Sequence, residues 1–269
     1  MCHFISNYAA EMALKYYALA ESSHSEGEAY KNYISTLFTL AGYSADEAAK
    51  AADAVMKFET GIAETSVDRN ALRDVHLNYN KMSLKEFVRK YDFLNWDIFF
   101  KEIGLKSSTE LNAGQVSFFK GLTKLVKKTS LEDLKAYLSF KLLNSASNYL
   151  SDDFVNANFE FFGKTVQGRE ELQPLWKRSL AVVNRSLAEA FGQMYVEKYF
   201  PASSKEKMLE MVANLQTALG ERIDALEWMS DETKAKAQEK LGTFIVKVGY
   251  PDTWKDYTGL SIDPALSYS

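Results

Sequence analysis

Cysteine is nearly absent. The 269-residue chain holds one, Cys2, so no disulfide can close within it and no disulfide framework dictates its compartment. Histidine is almost as scarce, with three in all: His3, His24 and His76. No two of them stand four residues apart, so no helical zinc pair exists. Four prolines and 13 glycines are too few for extended low-complexity segments. No apolar run reaches the roughly 18 residues that a membrane-spanning helix requires. Met1–Ala20 carry Glu11 and Lys15 inside their apolar pattern and lack a basic front, which makes them a poor signal peptide. Positive charge is not in excess either. Lys and Arg total 32 against 36 Asp and Glu, a net charge of −4, which argues against nucleic acid as a partner. The one local basic cluster, Lys120, Lys124, Lys127 and Lys128, reads as a solvated helix face.

Catalytic patterns are missing as well. No G-x-S-x-G, P-loop or G-x-G-x-x-G occurs. Cys2 has no patterned histidine to activate it. His24 falls in Ser22-Ser-His-Ser-Glu26, which reads as a loop, and His76 in a polar stretch. The adjacent pairs Asp152-Asp153 and Glu170-Glu171 diverge on any regular element, and both read as charge at a helix start. Glu227 and Asp231 stand four apart, but a helix end at Trp228-Met-Ser230 separates them, and without two histidines they hold no metal. Asn184-Arg-Ser186 is a glycosylation sequon inside a predicted helix and reads as a chance triplet. No catalytic, metal or substrate-binding residue is assigned.

What the chain does have is helical periodicity. Ser44-Ala-Asp-Glu47 is a capping box that opens a helix through Ala51, Val55, Phe58 and Ile62. Ser83-Leu-Lys-Glu86 opens another in the same way. Ser130 precedes Leu131, Leu134, Leu138 and Leu142, and Val116, Phe119, Leu122 and Val126 mark a further face. Trp176, Leu180, Val183, Leu187, Phe191, Met194 and Tyr195 predict one continuous stripe. Met208, Met211, Val212, Leu215, Leu219, Ile223 and Leu226 predict a second, about six turns long, capped by Ser203 or Ser204. Both stripes are expected to be buried. Ser230 begins a charged, exposed helix to about Lys240. Then Phe244-Ile-Val-Lys-Val248 breaks the pattern with β-branched residues and stops at Gly249-Tyr-Pro251. A lone strand needs a partner, and none is evident in the chain, so residues after Gly242 are expected to be loose or irregularly held. The fold class is therefore all-α, a multi-helix bundle-like lobe with a short strand-like segment near the C-terminus.

Several stretches together are more specific. They are Asn158-Phe-Glu-Phe-Phe-Gly-Lys164, Trp176-Lys-Arg178, Gly192-Gln-Met-Tyr-Val-Glu-Lys-Tyr-Phe-Pro201, Trp228-Met-Ser-Asp-Glu-Thr-Lys-Ala-Lys-Ala-Gln-Glu-Lys240 and Lys247-Val-Gly-Tyr-Pro-Asp252 with Trp254. In this order and spacing the chain resembles the neprilysin and endothelin-converting-enzyme family of zinc metalloendopeptidases, including its bacterial oligopeptidase-O members. Weaker similarity extends back through Trp96-Asp97 and Tyr79-Asn-Lys-Met82 to about Tyr30.

The resemblance implies a two-lobed parent. One lobe holds zinc through His-Glu-x-x-His and a later glutamate. The other is helical, caps the catalytic chamber and limits substrates to peptides. This chain corresponds to the helical lobe, so it is expected to be inactive alone and to need no cofactor itself, with zinc in the parent. Its implied partners are the parent's catalytic lobe and, through it, peptide substrates. The expected organisation is a poorly matched segment 1–27, a cap lobe 28–242 and a strand-like linker 243–269 toward the catalytic lobe. The alternative is a stand-alone helical binding module derived from such an enzyme. A single cysteine suits a bacterial-type member, for which a cell-envelope or periplasmic placement is one expectation and the compartment stays open.

Overall fold

Side-chain caps, which each contribute about 1 kcal/mol, fix where helices begin. The computed structural model describes residues 24–68, 70–105 and 110–263. Helix α1 (His24–Leu40) leads into α2 (Ala45–Thr65). At its start the Ser44 hydroxyl accepts from the Glu47 N–H, and the Ser44 N–H donates to the Glu47 carboxylate at 2.9 Å, completing the capping box. Ser83 caps α3 (Leu84–Lys90) through the Glu86 N–H. There follow α4 (Trp96–Glu102), α5 (Val116–Lys128) and α6 (Leu131–Ala146), the last capped by Ser130. Helix α7 (Asp152–Asn158) runs directly into a wider π-helical stretch, Phe159–Val166. The second half holds α8 (Leu175–Ser186), α9 (Ala188–Tyr199), α10 (Ala202–Asp224) and α11 (Asp231–Gly242), with Ser230 capping α11. The architecture is all-α.

The chain divides into two compact units, one ending at Leu172 and one beginning at Gln173. Unit one has a continuous aromatic core. Tyr30, Tyr33, Ile34, Leu37 and Phe38 of α1 pack with Ala48, Ala52 and Val55 of α2, Phe140 of α6 and Phe161 of the π-helical stretch. Phe161 stacks on Tyr33 with centroids 5.1 Å apart and planes 11° off parallel. A second cluster joins Phe58 and Ile62 to Phe87, Tyr91, Trp96, Phe118 and Phe119. Helices α2 and α5 approach so closely that a Cβ at Gly61 would stand 2.6 Å from the Leu125 side chain, and one at Gly121 would overlap Thr65. At Gly121 glycine serves proximity to the Thr65 Cβ, not a turn, whereas at Gly61 a side chain would have to turn the Leu125 tip aside.

Several expectations are corrected. His24 lies in helix α1, not in a loop. A two-stranded antiparallel sheet, β1 (Lys81–Ser83) with β2 (Glu110–Asn112), pairs Met82 with Leu111 and was not anticipated. Asn112 secures it by donating to Asn78 O at 3.0 Å and accepting from the Asn80 N–H at 2.6 Å. On α6 the expected leucine face divides: Leu131, Leu138 and Leu142 are each about two-thirds exposed and Leu134 packs half-buried on the second cluster, whereas Phe140 and Ala146 are buried. The Trp176–Tyr195 stripe is broken at Leu187, whose φ of −122° and ψ of 39° separate α8 from α9. Helix α10 begins after Pro201 with no side-chain cap, so Ser203 and Ser204 sit within its first turn.

The largest correction concerns burial in unit two. Among the described residues every buried hydrophobic side chain lies between Tyr30 and Phe161. Among the described residues of unit two only Gly220 is buried. The stripe expected to be a core face is largely open instead: Met208, Met211, Leu215 and Leu219 are 40–62% exposed, while Val212, Ile223 and Leu226 are half-buried. Residues 244–248 carry no strand pairing among the described residues, with Ile245 85% exposed.

Candidate functional site

The candidate residues set aside from sequence remain apart in space or at the surface. His76 is exposed in the single turn Val75–Asn78. Cys2 and His3 lie outside the described residues. Among the described residues no group of three His, Cys, Asp or Glu is placed to hold a metal ion. Asp152 and Asp153 occupy the exposed first turn of α7, where the free N–H groups favour negative charge. Glu170 and Glu171 do not start a helix; they sit in an exposed bend before α8, which corrects their reading. Glu227 lies in the connection after α10 and Asp231 opens α11; the helix end expected between them falls earlier, at Asp224, so the two residues belong to no common helix. Asn184 is exposed on α8. The four lysines of the basic cluster are all exposed on α5, and Lys127 pairs with Asp92 at 2.7 Å.

One titratable cluster is built into unit one, and sequence reasoning missed it. Glu59 of α2 is 3% exposed. Its carboxylate accepts from the Tyr30 hydroxyl at 2.8 Å. The Lys141 ammonium of α6 stands 3.8 Å away, an ion-pair distance too long for a hydrogen bond. Burial pushes the Glu59 carboxyl above its ordinary value, and the Lys141 charge and the Tyr30 hydroxyl pull it partly back. Burial, and then the Glu59 charge, push the Tyr30 phenol well up; the Tyr137 phenol is raised for the same two reasons. A carboxylate that sits among Val55, Phe58 and Ile62 on one helix face is the only sequence signal of it. Glu59 is enclosed, and of its partners only the Lys141 side chain, 35% exposed, reaches solvent. The cluster ties α1, α2 and α6 together.

The chemistry that remains is that of a surface. In unit two Trp176, Leu180, Val183, Phe191, Met194, Tyr195 and Tyr199 of α8 and α9 are exposed, as are Met208, Met211, Leu215 and Leu219 of α10 and Trp228 beyond it. Scattered exposed apolar residues are ordinary, but contiguous helical faces of them mark interaction surfaces.

Known proteins identify the lineage. The pattern for the N-terminal region of peptidase family M13 matches residues 5–251. The chain belongs to peptidase family M13. Endothelin-converting enzyme-like 1 of Rattus norvegicus is 31% identical over 243 residues, 88% of this chain and 31% of that protein. Neutral endopeptidase of Lactobacillus helveticus is 29% identical over 232 residues, 86% of this chain and 36% of that protein. This chain therefore spans about a third of the length of these relatives. Among solved structures, Mycobacterium tuberculosis zinc metalloprotease Zmp1 in complex with inhibitor superposes with a TM-score of 0.80 at 31% identity, over 89% of this chain and 36% of that one. PepO from Lactobacillus rhamnosis HN001 has a TM-score of 0.77 over 86% of this chain and 36% of that one, and at 22% identity it supports the fold alone. The all-α region described above is thus an M13 metallopeptidase N-terminal region.

Proposed function

We propose that this chain is the non-catalytic helical part of a zinc metalloendopeptidase and caps the chamber in which a separate catalytic half hydrolyses peptides. The observation that carries this reading is the contrast in burial. Unit one has a finished core, whereas unit two leaves the apolar faces of α8, α9 and α10 uncovered. Helices of that kind need a partner surface, and a catalytic lobe is one that the family supplies. The described residues offer zinc no ligand set, so they do not fit the metal and no step of hydrolysis is assigned to them. Residues 243–269 then form a linker toward the catalytic half, and residues 28–242 supply the cap. This cap would restrict substrates to peptides by limiting entry.

The test is a read of the gene beyond the codon for Ser269. An in-frame continuation that encodes His-Glu-x-x-His supports the proposal. A natural stop codon overturns it and leaves a stand-alone helical binding module. As a check on the metal, elemental analysis of the dialysed chain is expected to find sub-stoichiometric zinc; one tightly held ion per chain contradicts the assignment of zinc to the other half.

A further inference from the structure

We propose that Lys205 fastens the chain segment Tyr250–Tyr257 onto the helices of unit two and so fixes the path by which the chain leaves them. Lys205 lies in the first turn of α10, and its side chain is only 15% exposed. Its ammonium donates to Tyr250 O at 2.9 Å and to the Asp252 carboxylate at 2.7 Å. The same nitrogen stands 4.5 Å from the centroid of the Tyr250 ring. Three partners within one short stretch, 45 to 47 residues away in sequence, thus converge on a single cation.

The rest of the segment is built around that contact. Trp254 stacks on Tyr250 with centroids 5.8 Å apart and planes 9° off parallel. Phe200, at the end of α9, meets Tyr250 edge-on at 6.0 Å. Gly249 has a φ of +70°, and a Cβ there would come within 2.9 Å of the Phe200 ring, so both conformation and space demand glycine. A second anchor lies further along, where Glu189 of α9 accepts from the Lys255 N–H at 2.7 Å.

Asp252 is 95% exposed, and an ion pair in water contributes little by itself. The lysine differs because its ammonium is largely withdrawn from solvent. There the carbonyl, the carboxylate and the ring replace hydration, and a cation over an aromatic face gains strength when desolvated. Residues 244–246, just upstream, have no such hold, since Phe244, Ile245 and Val246 are exposed. The expectation that residues after Gly242 are loose or irregularly held resolves into a free arc followed by a fastened strap. That the strap leads to a catalytic half rests on the function proposed above; the fastening does not.

Limited trypsin digestion of the 269-residue chain separates arc from strap, because Lys247 lies in one and Lys255 in the other. Cleavage of such bonds requires local opening. Lys205→Met is expected to raise the cleavage rate after Lys255 at least tenfold and to leave the rate after Lys247 unchanged. Lys205→Arg, which keeps the charge and the donors, is expected to restore most of the resistance. An unchanged rate after Lys255 in Lys205→Met overturns the proposal. Should that variant lose helix by circular dichroism, Asp252→Asn takes its place: a several-fold faster cut after Lys255 alone supports the fastening, and no change overturns it. A downstream gene read lacking a zinc motif would sink the proposed function while leaving these rates as they are.

Discussion

Units one and two are both helical, yet among the described residues only the first gathers its apolar side chains into a buried core, even though Leu131, Leu138 and Leu142 of its α6 stay exposed. In unit one α1, α2 and α6 converge on Tyr30, Leu37, Phe38, Val55 and Phe140, all under 5% exposed. In unit two an equally periodic α10 shows Leu215 at 62% and Leu219 at 46% exposure. Periodicity therefore states which residues share a face; it does not say that the face has found something to cover it. Helices this long gain most of their stability from such packing, so the two units should respond differently to the same loss of side chain. Phe140→Ala is expected to destabilise unit one by about 3–5 kcal/mol, the usual range for a buried aromatic. Leu215→Ala should stay within about 0.5 kcal/mol, as for surface substitutions. Urea denaturation of both variants measures the contrast, and equal losses would break it.

The buried carboxylate of unit one, Glu59, sharpens the comparison, because unit two has no counterpart to it among the described residues. Lys141→Met leaves the buried Glu59 carboxylate with only the Tyr30 hydroxyl, and at neutral pH it is expected to cost about 1–3 kcal/mol. The pH dependence follows from the raised Glu59 carboxyl. Between its unfolded value and its raised folded one, the native state binds more protons than the unfolded state. Stability from this group is complete below the unfolded value and falls as pH rises through the folded one. Glu59→Gln should flatten that fall. A melting profile against pH that is identical in Glu59→Gln and the parent chain would remove Glu59 from the account.

A smaller effect lies in the second cluster. The Tyr91 hydroxyl is buried without a hydrogen-bond partner among the described residues. Tyr91→Phe removes the stranded polar atom and keeps the ring against Phe87 and Phe119, so a gain of about 1 kcal/mol is expected. A loss of similar size in chemical denaturation would show that the hydroxyl has a partner, such as an enclosed water.

How legible all this was depended on the range of the interactions. Ser44, Ser83, Ser130 and Ser230 were readable because a cap and its N–H partner lie three residues apart. Leu131, Leu138 and Leu142 were correctly placed on one face, but the inward choice fell to Phe140, whose ring packs with Tyr30 and Tyr33. Those partners are more than 100 residues away, and no local pattern names them. The β1–β2 pair has only three residues per strand, below what alternation can signal. Glu59 looked like one charge among many because its tyrosine and lysine partners lie on other helices. The family was legible because its stretches extend over many turns, whereas residues 244–248 gave a strand signal with no strand to pair with among the described residues.

The mildest change tests whether unit two's open faces have consequences in solution. Leu215 and Leu219 lie on adjacent turns of α10, both exposed, with Met208 and Met211 on the turns before. Uncovered helical faces of this size favour association or dye binding, since water gains when they are covered. Replacing Leu215 and Leu219 together by Glu should hardly alter the melting temperature, because neither side chain is buried. It should lower binding of an apolar dye such as ANS and shift any concentration-dependent species toward the monomer. The same exchange at the buried Leu37 and Phe38 of α1 should abolish folding of unit one. If instead the α10 double variant melts as badly as the α1 one, then its leucines are covered in solution by another part of this same chain, and the contrast between the two units disappears.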